Sequence, residues 1–219
     1  MSLFKNRTDA GQQLASKLLT YQNEKAILIL ALPRGGVPVA FEIAKVLHAP
    51  LTVFLVKKLG VPGHEEVAMG AVAEGNIHIL NQDLIQQLGI TEQQIQHILQ
   101  KKQQELTWHL QHYRQGKCLP TLNNKTIILV DDGIATGSTF KAAIQALKTL
   151  KPKKLVIAAP VASQDSLQEI ASLADETVCL ATPEPFYGVG QWYQHFDQTS
   201  DEEVLYLLQT APVKLDTLE

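Results

Sequence analysis

Two adjacent carboxylates and a run of small and hydroxyl residues stand together past the middle of the chain. Residues 127–139 read IILVDDGIATGST, in which a strongly apolar run ends at Asp131 and Asp132. The glycine, alanine, threonine and serine residues that follow are typical of a tight turn that opens a helix. Backbone N–H groups at a helix N-terminus attract anions, and hydroxyl groups add hydrogen-bond donors. The segment therefore predicts an anion-binding turn.

The position of the two carboxylates sharpens this interpretation. Negative charge beside a phosphate site is unfavourable unless it has a purpose of its own. Carboxylates accept hydrogen bonds from vicinal hydroxyls and can help to hold Mg²⁺. A pair of sugar hydroxyls next to a phosphate describes ribose 5-phosphate. We interpret Asp131 and Asp132 as a ribose site, against the alternative of a strand–helix turn with incidental acidic residues.

A second candidate anion site lies near the start of the chain. Residues 32–36 read LPRGG and stand between an apolar run and a helical pattern. A guanidinium such as that of Arg34 contacts phosphate oxygens through two parallel hydrogen bonds. The same five residues also suit a plain turn. Their place one strand–helix unit into the chain favours the anion site.

These motifs resemble those of a known family. The segment VDDGIATGST resembles the 5-phosphoribosyl 1-pyrophosphate (PRPP) signature of the type I phosphoribosyltransferases. With LPRGGVPVA and KKLG, it makes the chain most similar to a bacterial branch whose acceptor is unassigned. The resemblance covers about residues 26–182 and is specific only at the two phosphate loops. It implies a Mg²⁺-dependent pentosyltransferase that moves the 5-phosphoribosyl group of PRPP to a nitrogenous acceptor and releases pyrophosphate.

The resemblance assigns roles to individual positions. Asp131 and Asp132 take the ribose hydroxyls and contribute to the metal site, directly or through PRPP. The 5-phosphate is assigned to Ala135, Thr136, Gly137, Ser138 and Thr139. The pyrophosphate loop is assigned to Arg34, Gly35 and Gly36, and the peptide bond that enters its basic residue is often cis in this family, here Pro33–Arg34.

A basic pair stands farther along the chain. Lys57 and Lys58 end a second apolar run, and the following stretch, 59–67, is rich in Gly, Pro and charge and predicts a loop. The family carries a mobile loop here, which implies that either lysine neutralises pyrophosphate and that closure excludes water. His64 or Glu65 would then assist proton transfer. The alternative is an exposed polar loop, which we favour for His64.

Aromatic residues gather near the C-terminus, where many family members cover the nucleobase with a hood. We assign acceptor contacts to Phe186, Tyr187 and Trp192, since aromatic rings stack on bases. The alternative is that these rings fasten the C-terminal segment to the core. Members that use 6-oxopurines tend to carry aspartate at the position of Ala135. Its absence leaves the acceptor open and motivates an alternative, a non-catalytic regulatory protein that binds PRPP or a nucleotide.

The elements that must position these residues follow an alternating pattern. Strands are predicted at 26–32, 51–57, 126–132, 154–161 and 176–182, with two short strands within 69–80. Helices are predicted at 8–22, 37–47, 137–150, 166–174 and 201–209. The alternation predicts an α/β fold with a mainly parallel sheet flanked by helices. We expect a single domain over 1–219, with a helical insertion at 81–118 and a hood or tail at 183–219.

Composition limits the remaining classes. With 219 residues, 45% of them hydrophobic, and a net charge of −3, the chain lacks the basic field that nucleic acids attract. Only Cys118 and Cys179 are present, which excludes a disulfide framework. Neither a signal peptide nor the ~20 apolar residues of a membrane helix is evident. We expect a soluble, cytoplasmic protein without nucleic-acid or membrane partners, and the family resemblance implies a homodimer.

Overall fold

The computed structural model describes residues 2–215, in which strands and helices alternate along most of the chain. The strands are β1 (Ile27–Ala31), β2 (Leu51–Val53), β3 (Val56–Val61), β4 (His64–Ala73), β5 (Ile77–Leu80), β6 (Thr126–Val130), β7 (Lys154–Val161) and β8 (Glu176–Ala181). The α-helices are α1 (Arg7–Lys17), α2 (Gly36–Leu47), α3 (Gln82–Gln87), α4 (Glu92–Arg114), α5 (Ser138–Thr149), α6 (Gln164–Ala171) and α7 (Asp201–Thr210). Short 3₁₀ helices cover Leu19–Tyr21 and Val189–Trp192.

A parallel sheet carries both predicted anion loops. Within residues 2–215 it has five strands in the order β2-β1-β6-β7-β8. Every residue of β1 and β6 is buried, as expected for parallel strands covered by helices on both faces. The chain moves outward from β1 to β2 on one side, whereas β6, β7 and β8 extend the other side. The direction in which the chain adds strands therefore reverses between the neighbouring strands β1 and β6. Ligands of open α/β sheets bind at the loops that follow such a pair of strands.

A smaller antiparallel sheet has the order β3-β4-β5 within the described residues. Leu59, Met69 and Val72 are buried in it, and α4 and α5 pack against its strands. Its second turn, at Gly75 and Asn76, has positive φ at both residues, which suits the right-handed twist of a tight hairpin. A pair of strands was predicted within 69–80, and β5 and the second half of β4 form it, although β4 begins earlier, at His64.

The described chain divides into two compact units. The first holds the parallel sheet with α1, α2, α6 and α7, and the second holds the antiparallel sheet with α3, α4 and α5. The span 81–118, predicted as a helical insertion, holds α3 and α4, which share the second unit with β3, β4 and β5. The single domain over 1–219 stays a prediction. Among the described residues, no helix is long and apolar enough to cross a membrane.

Two predicted elements were wrong. The single strand at 51–57 is instead β2 followed by β3, which belong to different sheets. Phe54 and Leu55, which connect the two strands, are both apolar and buried. The apolar run therefore continues from one sheet to the other, and no polar or turn-forming residue indicates where β2 ends. The predicted loop at 59–67 is mostly a hairpin, formed by β3 and β4 around a turn at Pro62 and Gly63. Because residues 64–68 are exposed, this strand lacks the alternating apolar pattern that marks a buried face.

Candidate active site

The two anion loops lie against each other in the first unit. The Leu32 N–H donates to the Val130 carbonyl over 2.9 Å, which continues the pairing of β1 with β6 into the loops. A Cβ atom on Gly35 would lie 2.0 Å from Asp132 Oδ2, and one on Gly36 would lie 2.7 Å from the Val130 carbonyl oxygen. Glycine at both positions therefore allows this close approach, and at Gly36 the clashing atom belongs to the backbone. The Pro33–Arg34 peptide bond is cis, as the resemblance implied.

The carboxylates of Asp131 and Asp132 share a poorly hydrated site. Asp131 Oδ1 accepts a hydrogen bond from the Asp132 backbone N–H over 2.8 Å. Burial raises the pKa of Asp131 well above its ordinary range, and the nearby Asp132 carboxylate raises it further. Burial also raises the pKa of Asp132, although the Arg7 guanidinium opposes that shift. Hydrogen-bond donors or a cation supplied by a ligand would stabilise the ionised form of both carboxylates.

Arg7 is a site residue that sequence reasoning missed. Its Nε donates to Asp132 Oδ2 over 2.7 Å, with 12% of the Arg7 side chain and 14% of the Asp132 side chain exposed. The predicted helix began one residue later, and 125 positions separate the two partners. Nothing in the local pattern distinguishes Arg7 from an ordinary surface arginine.

The C-terminal segment also contacts the backbone of Asp132. The Tyr193 hydroxyl donates to the Asp132 backbone carbonyl over 2.5 Å. Burial raises the pKa of Tyr193, with a further contribution from the Asp132 carboxylate, so the hydroxyl remains a donor. A Cβ atom on Gly133 would lie 2.5 Å from Val189, so this part of the segment packs directly on the turn after Asp132.

The turn that follows the carboxylates is fixed by the next strand–helix connection. The Ile134 N–H donates to the Val161 carbonyl over 2.9 Å. The Ala135 carbonyl accepts hydrogen bonds from Ser163 Oγ at 2.8 Å and Ser166 Oγ at 2.7 Å. Ser163 also caps the N-terminus of α6. These two serines were not predicted, because only the fold brings them beside the turn.

The predicted phosphate residues extend from this turn into a helix. Ala135 and Thr136 are exposed. Gly137 has a φ of 68°, a left-handed conformation that favours glycine, and a Cβ there would lie 3.1 Å from Ile170 Cδ1. Ser138 is the first residue of α5, and Thr139 follows it as an exposed residue, both in the second unit.

The basic pair lies within β3, so the expectation that it ends a strand was wrong. Successive side chains point to opposite faces of a strand, which separates Lys57 from Lys58. Within the second unit, the exposed Lys58 Nζ donates to Ser138 Oγ over 3.2 Å. His64 and Glu65 are exposed at the start of β4, and their part in proton transfer stays a prediction.

The guanidinium of Arg34 lies near the carboxylate of Asp201. Its Nη1 lies 3.7 Å from Asp201 Oδ1, with 37% of the Arg34 side chain and 32% of the Asp201 side chain exposed. Asp201 is the first residue of α7. An anion bound at the pyrophosphate loop would therefore compete with this carboxylate for the guanidinium.

The aromatic residues assigned to the acceptor have different environments. Trp192 is buried in a cluster with Phe4 and Tyr193, and Phe186 packs against the same cluster. These contacts fasten the C-terminal segment to the rest of the first unit, as the alternative interpretation expects. Tyr187 is 86% exposed and offers an accessible ring. Acceptor stacking stays a prediction for all three assigned residues.

Known proteins share the sequence and the fold. The phosphoribosyl transferase domain family matches residues 3–189. Two proteins of Mycobacterium tuberculosis, from strains H37Rv and CDC 1551 and both named as phosphoribosyl transferases, are 44% identical to this chain over 211 residues. The match covers 96% of this chain and 47% of each relative. The chain therefore spans about half the length of these curated relatives.

Solved structures extend the comparison. The crystal structure of TT1426 from Thermus thermophilus matches with a TM-score of 0.84 and 34% identity, covering 96% of this chain and 99% of TT1426. The AQ2163 protein of Aquifex aeolicus matches with a TM-score of 0.50 and 14% identity, over 92% of this chain and 86% of AQ2163, which shows the fold alone. Since the family match extends over both anion loops and most of the sequence, the chain belongs to the phosphoribosyl transferase domain family, in its type I fold.

Proposed function

We propose that the chain transfers the 5-phosphoribosyl group from PRPP to a nitrogenous base or similar acceptor, in a Mg²⁺-dependent reaction that releases pyrophosphate. The direct contact between the two anion loops carries this proposal. Gly35 of the pyrophosphate loop lies against Asp132 of the ribose site, where a Cβ would be only 2.0 Å from the carboxylate. PRPP carries its pyrophosphate on the ribose ring, so a site for this donor needs both loops side by side.

The geometry supports a division of labour among the residues of the first unit. Asp131 and Asp132 would accept hydrogen bonds from the ribose hydroxyls, which offsets the hydration that their burial removes. As the bond from the ribose carbon to pyrophosphate breaks, positive charge develops on the ribose. The two carboxylates favour that charge, and Arg34 with the backbone of Gly35 and Gly36 stabilises the departing anion.

The acceptor nitrogen forms the new bond to the ribose carbon and loses its proton. Ala135 carries no titratable group, so it cannot protonate or deprotonate the acceptor. Its carbonyl instead accepts the bonds from Ser163 and Ser166 that fix the phosphate turn. This arrangement favours acceptors that need no ring-protonating carboxylate at this position.

The residues present fit Mg²⁺ held jointly with the substrate. Asp131 and Asp132 supply carboxylate oxygens, the donor atoms that Mg²⁺ prefers. Among residues 2–215, no group of three or more His, Cys, Asp or Glu side chains could hold a metal ion alone. Magnesium sites of one or two carboxylates completed by substrate phosphates and water are common. Bound Mg²⁺ would neutralise part of the pyrophosphate charge, while Asp131 and Asp132 keep the ribose oriented.

A pyrophosphate-release assay with PRPP, Mg²⁺ and a panel of purine, pyrimidine and amine acceptors tests the proposal. Turnover with one acceptor supports the transferase. The Asp131→Asn and Asp132→Asn variants should weaken PRPP binding by about 10- to 100-fold, since each loses a charge-assisted hydrogen bond. Asp83→Asn, an exposed carboxylate on α3, is the matched control and should bind PRPP normally.

The same measurements separate the alternative function. Saturable PRPP binding that is lost in Asp132→Asn, without turnover across the panel, would identify a PRPP-binding regulatory protein instead. The exposed Ala135, which brings no acid to the acceptor, is the observation that keeps this alternative open. If PRPP binds equally well to the wild type and to the double Asp131→Asn/Asp132→Asn variant, the ribose assignment is wrong.

A further inference from the structure

Arg7 stands where three parts of the first unit meet. Its Nε lies 2.7 Å from Asp132 Oδ2, and its Nη1 donates to the Asp197 carbonyl over 2.6 Å. The guanidinium carbon lies 3.9 Å from the centre of the Phe196 ring. One side chain thus links the start of α1, the ribose carboxylate and the C-terminal segment.

The capping and the electrostatics of α1 do not explain an arginine at this position. Arg7 is the first residue of the helix, where the helix dipole disfavours a positive charge. The helix start is already capped, because the Asn6 side chain accepts a hydrogen bond from the Asp9 backbone N–H. Asp9 also places an acidic group in the first turn, where the dipole favours it. The position of Arg7 is instead explained by the groups that it contacts.

Arg7 also borders the pyrophosphate loop. A Cβ atom built on Gly35 would lie 3.3 Å from Arg7 Nε and 2.0 Å from Asp132 Oδ2. The guanidinium, the ribose carboxylate and the pyrophosphate loop therefore lie in one continuous contact. A substitution of Arg7 would therefore alter the surroundings of both Asp132 and Gly35.

We propose that Arg7 is a positioning residue for the donor site, which acts through Asp132. Its hydrogen bond fixes the orientation of the Asp132 carboxylate that receives the ribose hydroxyls, and its bulk supports the approach of Gly35. The charged groups around this carboxylate are Arg7 itself and Asp131, with the Tyr193 hydroxyl bonded to the Asp132 backbone. Arg7 is therefore a cation that acts on both carboxylates. This inference rests on the proposed function.

A purely structural role predicts something different. If Arg7 only fastened the C-terminal segment through Asp197 and Phe196, its loss would act independently of the carboxylate. A positioning role predicts that Arg7→Gln weakens PRPP binding by about 10- to 100-fold, the range for a hydrogen bond to a charged group. Arg7→Lys retains the cation and should recover part of that loss.

A double-mutant cycle distinguishes the two roles. Calorimetric titration with PRPP and Mg²⁺ would compare Arg7→Gln, Asp132→Asn and the double variant, with unfolding temperatures recorded for each. Residues that act through one contact are not additive, so the double variant should bind no more weakly than Asp132→Asn alone. Lys17→Gln, an exposed cation on the same helix, controls for charge, and Phe196→Leu controls for the C-terminal contact.

The possible results separate the two proposals. If the losses of PRPP affinity in Arg7→Gln and Asp132→Asn multiply in the double variant, Arg7 does not act through Asp132. The same conclusion follows if Arg7→Gln binds PRPP like the wild type. In both cases the inference fails and the proposed function is unaffected. If Phe196→Leu matches Arg7→Gln in both affinity and coupling, the structural role is correct instead. If the wild type shows no saturable PRPP binding, the proposed function fails and the inference fails with it.

Discussion

At the scale of single residues, Asp131 lies in an environment that disfavours its ionised carboxylate. Burial raises its pKa well above the ordinary value of 3.8, with a further rise from Asp132. An acid whose pKa is raised in the folded state favours folding fully below the unfolded pKa. That contribution is lost as pH rises through the folded pKa. The ionised carboxylate therefore costs stability at neutral pH, where ligand donors would offset the cost.

We therefore predict opposite effects of Asp131→Asn on stability and on binding. The variant keeps an acceptor oxygen for the Asp132 N–H but carries no charge. At pH 7.5 it should be more stable than the wild type by on the order of 1 kcal/mol and should bind PRPP more weakly. Near pH 3, where the wild-type group is protonated in both states, the stability difference should vanish. Denaturant unfolding across pH measures this, and a variant less stable than the wild type at pH 7.5 would contradict it.

A second residue-scale prediction concerns the carboxylate that faces Arg34. Asp201 and a bound pyrophosphate would compete for the same guanidinium, whose Nη1 lies 3.7 Å from Asp201 Oδ1. Partly exposed ion pairs contribute about 0–1 kcal/mol, so Asp201→Asn should lower the KM for PRPP by at most about fivefold. Initial rates over a PRPP series measure this. Glu202→Gln makes the same charge change on α7 and should leave the KM unchanged. A higher KM in Asp201→Asn would contradict the prediction and show that Asp201 supports the pyrophosphate loop.

The sequence suggests those candidate site residues whose neighbours along the chain belong to the same motif. Asp131 and Asp132 are followed at once by the turn of the proposed phosphate site, so spacing and residue type sufficed to propose them. Arg7 bonds the carboxylate of Asp132 and Tyr193 bonds its backbone carbonyl, from positions 125 and 61 residues away. Their meeting depends on the packing of α1 and the C-terminal segment, which no local pattern encodes.

At the scale of elements, buried parallel strands were predictable because their residues are apolar without interruption. β1, β6 and β7 agree with their predicted spans to within a few residues. The hairpin of β3 and β4 was missed because the first five residues of β4 are all exposed. Register shifts after Leu59 and Gly60 further disturb the alternation of side chains between the two faces. Polar strands of this kind resemble loops in composition.

The face on which each lysine of β3 lies leads to a further prediction. Lys58 donates to Ser138 Oγ at the start of α5, where the family resemblance assigns the 5-phosphate. Lys57 points to the other face of the strand. Lys58→Ala should raise the KM for PRPP by about tenfold, as expected for a lost hydrogen bond near a charged group. Lys57→Ala is the matched control, and a larger effect from Lys57→Ala would reverse this assignment.

At the scale of the whole molecule, a buried ion pair lies within the second unit. Arg114, the last residue of α4, donates to Glu74 through both nitrogens of its guanidinium fork, and Nη2 lies 2.8 Å from Oε1. Both side chains are only 4% exposed. Burial raises the pKa of Glu74, while the Arg114 charge opposes that rise. The pair joins the C-terminal end of α4 to the end of β4.

Removal of Arg114 should therefore destabilise the second unit selectively. Arg114→Met leaves Glu74 buried without this guanidinium, and breaking a buried pair in this way costs about 3–5 kcal/mol. Hydrogen exchange should rise in the amides of β3, β4 and α4, with little change in β1, β6 and β7. The double variant Glu74→Gln/Arg114→Met removes both charges and should recover much of the loss. If exchange instead rises equally in both units, the chain unfolds as one cooperative domain, which is the organisation that its length and composition predict.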